Sequence, residues 1–318
     1  MTRLRWFPGD RLSPIHAARC FAMGSPAVDE SICVAIATPM SEFIGRLAGV
    51  EIDPSTFWTR LVSVSAAGDT DIVACREGLT AAGCSSLSID VTASSLVTHL
   101  AEIRRAYQQR YPKLAEQLTL RGRPIREQWD GYSAGLLKRI GKQTHASFLP
   151  KTVSAMLLSP YRGGDGGLDA SAGRVWIEAV LANPFPEIPE VLRLVWFVAQ
   201  VGLIDAFSTG SADSHGDPWV PPARLPRVAA LAMLPIVLEA GHYLEMISTP
   251  PGELPLLFPK TASAWRLSVD DQTLDALENW WMQFLDLQTP PPVALKALDR
   301  MLFATSDEPA SGKSGMRR

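Results

Sequence analysis

Arg174-Val175-Trp176-Ile177-Glu178-Ala179-Val180-Leu181-Ala182, then Asn183-Pro184-Phe185-Pro186, then the run from Ile188 to Ile204, is the stretch whose reading decides the fold. Its first nine residues alternate. Val175, Ile177, Ala179 and Leu181 face one way, and Arg174, Trp176, Glu178 and Val180 face the other. That period predicts a strand in a sheet covered on one side. The prolines mark a turn. From Ile188 to Ile204 almost the whole circumference is Val, Leu, Trp, Phe and Ala, which predicts a helix buried on most sides. Glu190, Arg193 and Gln200 fall in one narrow stripe at about 100° per residue, which reads as an ion pair and hydrogen-bond seam.

Immediately upstream, Thr152–Ser159 reads as a second strand. The Gly-rich segment Arg162-Gly-Gly-Asp-Gly-Gly-Leu-Asp-Ala-Ser-Ala-Gly173 reads as a long mobile loop joining the two strands in a hairpin. Further back, Leu96, Leu100, Ile103 and Tyr107 share one helix face, as do Ile125, Trp129, Tyr132, Leu136 and Ile140. Residues 1–90 read as a bundle of short helices, with Asp53 or Ser55 as an N-cap for a helix through Phe57, Trp58 and Leu61. Downstream, residues 205–223 form a polar connector, and a helix from Pro226 to about Ile247 carries a kinking Pro235. Two more helices follow, one through Leu274, Leu277, Trp281 and Phe284, the other through Leu295, Leu298 and Leu302. The expected fold is α+β and predominantly α-helical. A helical N-terminal half precedes a small antiparallel hairpin or sheet packed on a buried helix. The expected organisation is an N-terminal region over 1–90, a main domain over 91–304 and a disordered tail over 305–318.

Composition narrows the function classes. Hydrophobic residues are 47% and charged residues 20%, an ordinary globular balance. The formal net charge of -3, from 30 basic and 33 acidic side chains, argues against a dedicated nucleic-acid binder. Cys20, Cys33, Cys75 and Cys84 form no Cys-x-x-Cys pair, so reduced thiols are expected. The N-terminus has no apolar run of a signal peptide. The apolar windows Leu192–Ile204 and Val228–Leu238 are shorter than the ~20 residues a bilayer span needs. A soluble, cytoplasmic protein with no membrane association is expected.

No catalytic or cofactor signature is complete. Gly312-Lys313-Ser314 ends like a phosphate-binding loop, but Asp307 stands where that signature needs Gly. Asp165 and Asp169 in the Gly-rich loop are too few for Ca²⁺. Glu239 and His242 form one Glu-x-x-His, half of a di-iron set whose other half is missing. Asp213-Ser-His215-Gly-Asp217 reads as a solvated loop. Arg121, Arg123, Arg126, Lys138, Arg139 and Lys142 gather positive charge, diluted by Glu127 and Asp130, and read as a solvated face. No metal, cofactor or catalytic set is assigned. Glu178, Glu190, Arg193, Glu239 and His242 are the candidates for a site assembled from afar, because they put polar groups on apolar elements.

Two resemblances bear on this. Leu120-Arg-Gly-Arg-Pro-Ile-Arg-Glu-Gln-Trp129 and Val175-Trp-Ile-Glu-Ala-Val-Leu-Ala-Asn-Pro184 with Pro189-Glu-Val-Leu-Arg-Leu-Val-Trp196 resemble segments of a family of uncharacterised proteins from planctomycete-like bacteria. That resemblance covers about residues 90–250 and implies a cytoplasmic bacterial protein. The succession of hairpin and buried helix is similar to the core of zinc-dependent metallopeptidases, whose helix carries His-Glu-x-x-His. Here the helix reads Glu190-Val-Leu-Arg-Leu-Val-Trp-Phe197, without histidine, so the metal site such a fold implies is gone. The expected function is a non-catalytic protein that binds a partner or supports an assembly. Its nine tryptophans are candidate anchors. The alternative is an enzyme built on the five residues above.

Overall fold

The computed structural model describes residues 2–180, 183, 185–210, 220–287 and 289–303. In chain order its elements are β1 (Arg3–Pro8), α1 (Ser13–Ala22), α2 (Glu30–Ala48), α3 (Pro54–Ala66), α4 (Asp71–Ala81), α5 (Ile89–Arg110), α6 (Leu114–Arg121), α7 (Arg123–Gln143), β2 (Thr152–Leu158), β3 (Gly166–Asp169), β4 (Arg174–Glu178), α8 (Glu190–Gly210), α9 (Leu225–Tyr243), α10 (Phe258–Ala264), α11 (Asp271–Leu287) and α12 (Pro291–Phe303). The fold is predominantly α-helical, with one small sheet packed against helices.

The sheet is mixed, in the order β1-β2-β4-β3. β1 runs parallel to β2 with Arg3 opposite Thr152, and β2 runs parallel to β4 with Ala155 opposite Val175. The antiparallel hairpin is β3–β4, with Leu168 opposite Val175. This corrects the expected pairing of Thr152–Ser159 with Arg174–Ala182, which lie side by side but parallel. The reason lies in the Gly-rich segment. It contains a strand, and the chain crosses over the end of β4 before returning through it. Glycine permits that strand, because a Cβ on Gly166 would stand 2.6 Å from the Trp176 carbonyl oxygen and one on Gly167 2.7 Å from the Trp176 ring. The segment is therefore packed rather than a free tip. Residues 1–90 were expected to be short helices throughout, and β1 corrects this by adding an edge strand at their start.

β4 is covered on both faces, since Val175, Trp176, Ile177 and Glu178 are all buried, which corrects the one-sided reading. α8 lies against β3 and β4, with α7 and α9 on its other sides. Val191, Leu192, Leu194, Val195 and Val198 are fully buried. Each such side chain stabilises by about 1.5–3 kcal/mol relative to exposure, before ordering entropy. The α5 face of Leu96, Leu100, Ile103 and Tyr107 is buried as its spacing requires. On α7 the same holds for Ile125, Trp129, Leu136 and Ile140, but Tyr132 is 44% exposed. Asp53 caps α3 through the amides of Ser55 and Thr56. The first 90 residues share the core of the rest, with α2 against α5 and α1 against α5.

By length and composition alone, Glu30–Ala48, Glu190–Ser208 and Leu225–Tyr243 are each long and apolar enough to cross a membrane. This corrects the expectation that the apolar windows are too short, because α8 continues past Gln200 and Gly202. In α8 and α9, 72% and 78% of the window is buried inside the fold, so protein already covers their apolar surface. In α2 the share is 28%. The expected tail and the Asp213–Asp217 loop lie outside the described residues, as do Leu181, Ala182 and Pro184.

Candidate ligand-binding cleft

Glu178, at the end of β4, is only 1% exposed and holds the crossover loop by its carboxylate. Oε1 accepts from the amides of Tyr161 (2.8 Å) and Arg162 (3.0 Å) and from His16 Nε2 (2.9 Å). Oε2 accepts from the amides of Gly164 (2.9 Å) and Asp165 (3.1 Å). The loop can present four amides to one side chain because Gly163 (φ 71°) and Gly164 (φ 116°) take the left-handed turn. Burial alone would push the Glu178 carboxyl up. His16 and the amides outweigh it and hold it far below the usual range.

Arg193, on α8, closes the same loop from the other side. It is completely buried. Nη1 donates to the Asp165 carbonyl (2.7 Å), and Nη2 donates to the Glu178 carbonyl (2.9 Å) and to Glu190 Oε2 (2.7 Å). The stripe Glu190–Arg193 is thus the ion-pair seam the sequence suggested, anchored on the β3–β4 hairpin. Gln200 donates to the Trp196 carbonyl of its own helix.

His16 and Cys20 stand one turn apart on α1. Cys20 Sγ is 3.7 Å from His16 Nε2 and 3.7 Å from Asp165 Oδ2, and all three residues are buried. Their donor atoms lie close enough to hold a metal ion. The surroundings speak for another role. His16 Nε2 is engaged with Glu178, and Asp165 is met by Arg162 (3.1 Å) and Arg19 (4.0 Å). A nucleophile–base–acid relay needs thiol and carboxylate on opposite ring nitrogens. Here both face Nε2, and Nδ1 is buried without a hydrogen-bond partner among the described residues. The cluster fastens α1 to the crossover loop.

This pair carries a pH signature. Burial opposes charge on His16, but Cys20 and Glu178 outweigh it and raise the imidazole well above 6.5. A raised His stabilises fully below 6.5, and the contribution is lost as pH climbs through the folded value. The lowered Glu178 stabilises fully above 4.5, and its contribution is lost as pH falls below that. Both are complete between 4.5 and 6.5. In that interval the gap in unfolding temperature between wild type and His16→Gln is expected to be widest, narrowing on either side. Parallel profiles in a calorimetric pH series would refute the pairing.

Beside this frame lies a cleft of about 690 Å³ at the carboxyl ends of the parallel strands β2 and β4, where Ser159, Pro160 and Val180 line it. Such ends are where open α/β sheets place ligands. Arg110, Arg121 and Arg266 point positive charge at it, against one carboxylate, Asp29. Arg110 lies 3.7 Å from Asp29 and 5.1 Å from the centre of the Tyr111 ring. Burial, then Asp29, pushes the Tyr111 hydroxyl up to about 12, so it stays a donor, and it donates to Asp29 at 3.1 Å. Arg266, at a left-handed φ of 57°, donates to the carbonyls of Arg162 and Gly163, and its Nε is buried without a hydrogen-bond partner among the described residues. Arg121 is half-buried and has neither a hydrogen bond nor an ion pair to the described residues.

Of the five residues proposed from sequence, the structure brings Glu178, Glu190 and Arg193 together. Glu239 pairs with Arg139 of α7, and His242 Nδ1 faces the Ile247 carbonyl at 3.3 Å. The small crevice that Glu178 and Glu190 share with Gln128 includes neither of them. The basic residues expected on one face also part company. Arg126 lies over Trp6, Arg139 bonds Glu239, and Arg121 enters the cleft. Trp58, Trp129, Trp176, Trp196, Trp265, Trp280 and Trp281 are buried, so their area is spent on the core and not on a partner. His16, Arg110, Tyr111 and Arg266 are not singled out in the sequence reading, which takes Cys20 only as a reduced thiol. The i, i+4 spacing of His16 and Cys20 on an apolar helix was the one local signal.

The fold and its cleft define a helical α+β protein with an arginine-lined pocket at the carboxyl ends of its two central strands. No family model, curated protein or solved structure matches the chain.

Proposed function

We propose that this chain is a non-catalytic, water-soluble binding protein whose ligand sits in the cleft at the ends of β2 and β4. The observation that carries this reading is the use of the buried ionisable groups. Glu178, His16, Asp165 and Arg193 are all engaged in fixing the loop that walls the cleft, which leaves a rigid, preorganised pocket. Its volume falls within the range of small-molecule sites, about 300–1,000 Å³. The resemblance to the planctomycete-like family supports a bacterial, cytoplasmic setting. The similarity to zinc metallopeptidases is topological only, and a helix of Leu, Val, Trp and Phe supports binding over hydrolysis.

Native mass spectrometry of protein purified under gentle conditions tests the seat. Wild type is expected to carry a small-molecule adduct that denaturation and refolding remove. Val180→Trp, which fills the cleft from a half-buried position, is expected to purify without it. An adduct retained by that variant, or a wild type that carries none, would reject the reading.

A further inference from the structure

We infer that the cleft selects an organic oxyanion, a phosphate or carboxylate group carried on an apolar body. This rests on the cleft being the ligand seat. Three guanidinium groups line it against one carboxylate, so the cleft carries an excess of positive charge. Asp29 is already engaged with Tyr111, Ser31 and Arg110, which leaves it little capacity to neutralise the others. Arg121 is the group whose charge is unmet within the described residues, and it is half-buried at the cleft wall.

The guanidinium fork matches the paired oxygens of a carboxylate or phosphate, and in a partly desolvated pocket that match is stronger than at an open surface. Val28, Pro160 and Val180 add apolar surface to the same lining. A bare inorganic anion would leave that surface wet, whereas an aromatic or aliphatic body would cover it. Arg266 is fixed at the cleft rim: its left-handed φ is the ordinary end of α10, where the Leu267 amide donates to the Ala262 carbonyl, and its side chain donates to the carbonyls of Arg162 and Gly163.

Phenyl phosphate, benzoate and benzyl alcohol share a ring and differ in charge, so titration calorimetry with these three probes separates the contributions. Phenyl phosphate or benzoate is expected to bind, and the tighter of the two names the group. Affinity is expected to fall with added salt, and benzyl alcohol is expected to bind at least roughly ten-fold more weakly than the better anion. Arg121→Ala is expected to weaken anion binding roughly ten- to hundred-fold, with Arg121→Lys in between. Because Arg121 has no hydrogen bond or ion pair to the described residues, both variants are expected to unfold at the wild-type temperature, which separates loss of binding from loss of fold. Benzyl alcohol binding as well as the anions, anions indifferent to Arg121→Ala, or no binding by any probe would each overturn the inference. The seat is judged separately by the adduct on Val180→Trp, so an oxyanion preference can fail while the cleft stands.

Discussion

Glu178→Gln is expected to lower the free energy of unfolding by about 3–5 kcal/mol, the range for breaking a buried charged network from one side. The amide is nearly isosteric, so packing is not what changes. One oxygen can still accept, but the amide nitrogen must then face donors, either the amides of Gly164 and Asp165 or those of Tyr161 and Arg162. His16 loses its counter-charge in the same step. The control is Glu190→Gln. Glu190 is 20% exposed and meets one partner, so water can replace part of what is lost, and about 1 kcal/mol is expected. Equilibrium urea denaturation reads both. Equal losses in the two variants would mean that the four amides are not held by this carboxylate.

Arg193→Ala is expected to cost a similar amount, about 3–5 kcal/mol, for a different reason. Two buried carbonyls, those of Asp165 and Glu178, each lose one of two donors, Glu190 loses its counter-charge, and a cavity opens at the first turn of α8. Arg193→Met separates the two effects, since it refills much of the space and restores no hydrogen bond. Its expected loss lies between wild type and Arg193→Ala. A methionine variant as stable as wild type would make the guanidinium a filler. Because Glu178 and Arg193 grip one loop from opposite sides, the double variant is expected to lose less than the sum of the singles. The same variants connect stability to binding, since a loop released from β4 no longer walls the cleft.

The helices were legible because their signal is local. Leu96, Leu100, Ile103 and Tyr107 announce a buried face within four turns, and the apolar run of α8 announces a helix with neighbours all round. The sheet was half legible. β2 and β4 have the right residues, but nothing local distinguishes a parallel pair from a hairpin. β3 is Gly166-Gly167-Leu168-Asp169, which has almost no strand propensity and exists because Trp176 leaves room only for hydrogen beside it. β1 alternates Arg3-Leu4-Arg5-Trp6, a period-two signal too short to stand alone. The site was least legible. Glu178 was singled out as a polar residue on an apolar strand, which was sound, but its partners at His16 and in the crossover loop are set by topology. Arg110, Arg121 and Arg266 come from three separate regions and share no pattern before folding.

The parallel pairing of β1 with β2 also has a consequence for biosynthesis. Arg3 finds its partner at Thr152, so roughly 150 residues separate synthesis of the two strands. At bacterial or eukaryotic translation rates of about 5–20 residues per second, the first strand waits about 8–30 s outside or within the ribosomal tunnel for the second. During that interval Trp6 and Phe7 are available to nascent-chain chaperones, and the sheet edge they will occupy does not yet exist. Slowing translation upstream of Thr152 would prolong that exposure without altering a single contact of the finished protein.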